Sequence, residues 1–96
     1  MRPSELLDTY REFIRQTVIA HHALAPRIFG SVLTGSDTES SDLDILVEPT
    51  PETSLLDLAK IECALRQKLG VKVDVLTPDF LPPHSRDEVL RTAVML

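Results

Sequence analysis

The chain has 96 residues, 43% of them apolar and 26% charged, a size and balance that suit one globular domain over residues 1–96. Ten Lys and Arg against fifteen Asp and Glu leave a net charge of −5, so there is no basic excess to grip nucleic-acid phosphates, and direct nucleic-acid binding is not expected. No apolar run is long enough for a membrane span, no signal-like stretch opens the chain, and the lone cysteine, Cys63, excludes internal disulfides and cysteine metal clusters. The expected location is the cytoplasm, with no membrane partner.

Leu6, Tyr10, Phe13, Ile14, Thr17 and Val18 recur at helical spacing, and Pro3 and Ser4 suit a first turn. The pattern fades at His21, His22 and Pro26. Arg27-Ile28-Phe29 then reads as a short strand that ends at Gly30. Residues 32–41 are mostly small and polar, a loop with room for one helical turn. Asp42-Leu43-Asp44-Ile45-Leu46-Val47 alternates as a strand does, and Pro49 and Pro51 end it.

Ser54 and Asp57 form a capping box for a helix whose apolar stripe is Leu55, Leu58, Ile61, Leu65 and Leu69, closed by Gly70. Val71-Lys72-Val73-Asp74-Val75-Leu76 is the clearest strand. After Pro78, Pro82 and Pro83, Ser85 and Glu88 suggest a second capping box, before a helix with Val89, Leu90, Ala93 and Val94 on its apolar face. The fold class is therefore α/β (α+β): a small mixed sheet of three strands, or four, with helices mainly on one face.

Three features carry chemistry. Asp42 and Asp44, two apart in a strand, project to one face, and their hard oxygens suit Mg²⁺ rather than Zn²⁺. Gly30-Ser31 ends a strand, where glycine lets backbone N–H groups approach a phosphate and serine adds a hydroxyl. Asp74 stands alone among valines and converges on the first pair if the two strands are neighbours. Each feature alone is ordinary: a pair of solvated acids, a plain turn, a surface aspartate. Together, Gly-Ser, ten residues and Asp-x-Asp arise by chance in on the order of one such chain in a thousand. These are the parts of in-line phosphoryl or nucleotidyl transfer.

Phe29-Gly30-Ser31, Asp42-Leu43-Asp44-Ile45 and Val73-Asp74-Val75, in this order and spacing, resemble the signature of the polymerase-β-type nucleotidyltransferases, and the run FGSVLTGSDTESSDLDILVE resembles their minimal (MNT) domains. The resemblance covers nearly the whole chain. It implies a nucleotidyltransferase fold and the antitoxin half of a type VII-like HEPN–MNT toxin–antitoxin pair. The activity it implies is transfer of AMP from ATP to a tyrosine of the HEPN ribonuclease, with two Mg²⁺ ions. By motif position Gly30 and Ser31 hold the nucleotide, and Asp42, Asp44 and Asp74 are the catalytic and metal-binding carboxylates.

Many relatives carry arginines after the Gly-Ser; here Val32-Leu33-Thr34-Gly35 follows, with Asp37 and Glu39 beyond. Phosphate attraction is expected to be weaker for it, with Lys72 or a partner's basic residue assisting. The competing reading is an antitoxin that neutralises the HEPN protein by contact alone. A small-molecule nucleotidyltransferase fits less well, because 96 residues leave no acceptor domain. Elsewhere, His21 and His22 suit a helix C-terminus, Tyr10 a core or partner-facing place, and Cys63 a packing role. The apolar end, Ala93-Val94-Met95-Leu96, is expected to dock on the sheet or on a partner.

Overall fold

The computed structural model describes residues 2–38 and 40–96. Helix α1 (Pro3–Ala20) leads into β1 (Ala23–Phe29), one helical turn α2 (Ser31–Thr34), β2 (Leu43–Pro49), α3 (Leu55–Leu69) and β3 (Val73–Leu76). A 3-10 turn at Pro78–Phe80, α4 (Pro83–Thr92) and a two-residue β4 (Val94–Met95) complete the order. The strands form one mixed sheet, β3-β2-β1-β4. β1 is antiparallel to both of its neighbours, and β2 is parallel to β3.

The core follows from the two periodicities. Leu6, Ile14 and Val18 from α1 and Leu58, Ile61, Leu65 and Leu69 from α3 form stripes over one face of the sheet. That face presents Ile28, Leu43, Ile45, Val47, Val73 and Val75, the alternate residues of three strands. Ser54 accepts the Asp57 N–H at 3.1 Å while Asp57 accepts the Ser54 N–H at 2.9 Å, and Gly70 closes α3 in the left-handed conformation. Both ends of α3 are where the sequence signals them.

Several boundaries differ from expectation. β1 begins at Ala23 rather than Arg27, because a bulge between Leu24 and Arg27, with Ala25 at φ 50°, lets the strand pass through Pro26. β2 starts at Leu43, leaving Asp42 just ahead of it, and β3 starts at Val73 rather than Val71. The Ser85–Glu88 capping box does not form: Pro83 already starts α4, and the Ser85 hydroxyl donates back to the Pro82 carbonyl at 3.3 Å. Val94 leaves the helix for β4, which covers the outer edge of β1, and Leu96 is buried, its carbonyl held by Arg15. Cys63 is exposed rather than packed. Tyr10 packs partly buried against the core, at a point where α1 departs from helical dihedrals.

Candidate functional site

Asp44 and Asp74 are register partners across the parallel β2–β3 pair, so their side chains leave the sheet side by side on the face opposite the core. On the other flank of β2, Asp44 pairs with Phe29, the last residue of β1. The chain turns there through Gly30 at φ 83° and ψ −152°, a conformation that essentially only glycine adopts. A Cβ at Gly30 would stand 2.6 Å from Asp44 Oδ2. Glycine is thus required twice, once for the dihedral and once for the carboxylate behind it.

Ser31 opens α2, whose first turn is closed by the Leu33 N–H donating to the Gly30 carbonyl at 3.1 Å. Beside this turn lies an open cleft of about 500 Å³, bounded by Gly30, Ser31 and Ser36 and, from α4, by Glu88, Val89 and Thr92. Gly30 thus borders the cleft and also lies against the Asp44 carboxylate.

The electrostatics are those of crowded anions. The Asp44 carboxyl is pushed up to about 6 by its burial, and then by the negative charges of Asp74 and Asp42, with Lys72 opposing. Asp42 Oδ2 lies 3.6 Å from Lys72 Nζ, and Asp74 Oδ1 lies 3.7 Å from Arg66 Nη2. Among the described residues no three His, Cys, Asp or Glu side chains are gathered closely enough to hold a metal ion as they stand. The donor chemistry nevertheless fits a hard divalent cation. Carboxylates leave adjacent strands side by side, and their mutual repulsion adds to burial in raising Asp44; a cation relieves that repulsion.

Asp37 does not crowd the turn as its sequence position suggests. Asp37 is buried and accepts the Ser4 N–H at 2.9 Å, so its charge faces the N-terminus of α1, and this bond holds its carboxyl below the usual range. Glu39 lies outside the described residues. His22 Nδ1 lies 3.3 Å from Asp57 Oδ2, and His21 Nδ1 lies 2.9 Å from the Thr17 carbonyl. Sequence reading missed Arg66 and Glu62, which look like an ordinary i,i+4 surface pair on α3 and acquire a role only through the sheet edge beside them.

A mixed sheet whose adjacent strands bring aspartates together next to a Gly-Ser turn defines the nucleotidyltransferase class. A family profile described as "Nucleotidyltransferase domain" matches residues 10–96, and the chain belongs to that family. A Methanocaldococcus jannaschii protein assigned as a protein adenylyltransferase is 40% identical over 77 residues, 80% of this chain and 83% of that one. The solved structure of a protein assigned as a minimal nucleotidyltransferase superposes with a TM-score of 0.86 at 41% identity, covering 97% of this chain and 95% of the other. A toxin–antitoxin structure with AMP-PNP shares the fold, with a TM-score of 0.66 at 17% identity over 84% of this chain and 70% of that one. The protein is a minimal nucleotidyltransferase.

Proposed function

We propose that this chain is the antitoxin of a toxin–antitoxin pair and transfers AMP from ATP to its partner, a tyrosine of a HEPN-type ribonuclease being the acceptor. The observation that carries this reading is the alignment of Asp44 with Asp74 beside Gly30, a site in which anionic side chains face a turn suited to phosphate. The adenylyltransferase assignment of the 40%-identical relative supports the chemistry, and the AMP-PNP in the toxin–antitoxin structure supports the nucleotide and the kind of partner.

In this reading the Gly30–Ser31 turn binds the triphosphate, and the cleft beside it takes part of the nucleotide. Asp42, Asp44 and Asp74 would hold Mg²⁺, which when bound neutralises phosphate charge and activates the acceptor. The acceptor oxygen attacks the α-phosphorus, forming a new P–O bond. The bond from the α-phosphorus to the bridging oxygen breaks, pyrophosphate leaves with that electron pair, and Asp74 takes the hydroxyl proton.

The test is incubation of the chain with its HEPN-type toxin partner and ATP labelled at the α-phosphate. Label should appear on the toxin, and Asp42→Asn or Asp44→Asn should abolish it. Equal neutralisation of the toxin by wild type and both variants, without label transfer, would overturn the reading in favour of inhibition by contact.

A further inference from the structure

β3 is the outer strand of the sheet, yet its exposed edge is not bare. The Lys72 carbonyl accepts the Leu43 N–H at 2.9 Å, toward β2. Backbone polar groups alternate sides along a strand, so those of Val73 and Val75 point outward, the two residues flanking Asp74. Both outward groups that flank Asp74 are met by side chains of α3. Arg66 donates to the Val73 carbonyl through Nε at 3.1 Å and Nη2 at 2.9 Å. Glu62 Oε2 accepts the Val75 N–H at 2.7 Å. The two side chains, one helical turn apart, also face each other, with Arg66 Nη2 3.8 Å from Glu62 Oε1 and 3.7 Å from Asp74 Oδ1.

We infer that Glu62 and Arg66 are positioning residues for the transfer site, acting as a substitute strand that fixes β3 on both sides of Asp74 and so keeps its carboxylate beside Asp44. The inference rests on the reading of Asp74 given under "Proposed function". A two-point grip suits β3, which has four residues and, among the described residues, pairs with β2 alone. The forked guanidinium supplies two parallel donors to one carbonyl, which a lysine cannot do.

The experiment titrates Mn²⁺ in the presence of ATP by electron paramagnetic resonance, with circular dichroism to establish folding and hydrogen exchange at the Val75 amide. Glu62→Ala, Arg66→Met and Asp74→Asn should each weaken Mn²⁺ binding, the first two by roughly 10- to 100-fold. Val75 exchange should quicken in Glu62→Ala. Glu62→Gln, whose amide oxygen still accepts the Val75 N–H, should restore both readouts. If Glu62→Ala does not fold, Arg66→Lys carries the same test, with weakened binding as the supporting result and wild-type binding as the contrary one. Wild-type affinity in Glu62→Ala and Arg66→Met, with loss in Asp74→Asn, would overturn the positioning role and leave the site intact. Wild-type affinity in Asp74→Asn, or no binding by the wild type, would overturn the site itself and this inference with it.

Discussion

At Gly30, local backbone and site chemistry impose the same requirement. Alanine there meets a dihedral reserved for glycine, at a cost of about 1–3 kcal/mol, and its Cβ displaces the Asp44 carboxylate. Gly30→Ala should therefore lower stability in urea denaturation and also abolish transfer at temperatures where the variant remains folded. Asp44 and Asp37 have opposite pH signatures. The unfolded chain keeps Asp44 near 3.8, whereas the folded protein holds its proton up to about 6. Its contribution to stability is thus full below the unfolded value and is lost as pH rises through the folded one. Asp44→Asn should raise stability at neutral pH without divalent ions by about 1 kcal/mol, allowing for solvent screening, while removing transfer. Asp37, lowered by the Ser4 N–H, stabilises above the ordinary carboxylate range, and that contribution disappears as pH falls through its folded value. Asp37→Asn should flatten the acid limb of a melting-temperature profile.

The elements differ in how openly the sequence declares them. α3 carries its start and stop in side-chain chemistry, and Ser54→Ala should cost about 1 kcal/mol by thermal denaturation. Asp74 is also legible, because a charge in a run of valines can face only the side away from the core. The first half of β1 is not, since Pro26 argues against a strand unless a bulge is known to be there, and a bulge depends on the partner strand. The Ser85–Glu88 spacing misleads for a related reason: proline favours the first helical position strongly enough to start α4 three residues earlier, at Pro83 rather than Arg86. Asp37 reads as one more loop acid, although its partner is Ser4, thirty-three residues away. Local pattern reveals what local interactions decide; the bulge, the Asp37 latch and the Glu62–Arg66 grip are decided by contacts across the fold.

On the scale of the whole molecule, a single apolar layer beneath α1 and α3 supports a sheet whose opposite face carries the aspartates. A chain of this length has about 5–15 kcal/mol of stability in all. Leu65, fully buried in the second half of α3, should therefore be close to indispensable: Leu65→Ala is expected to cost about 2–5 kcal/mol, read as a lowered urea midpoint with the same denaturant slope. The in-register pairing of Leu43, Asp44, Ile45 and Leu46 with Val73, Asp74, Val75 and Leu76 has a further consequence. Sliding β3 by one position would turn its aspartate into the oily layer and its valines into water. Sliding it by two would keep the parity but set Asp74 opposite Leu46 or Asp42. The alignment that seals the interior is thus the one that assembles the acids, so a misthreaded molecule forfeits its solidity and its chemistry together.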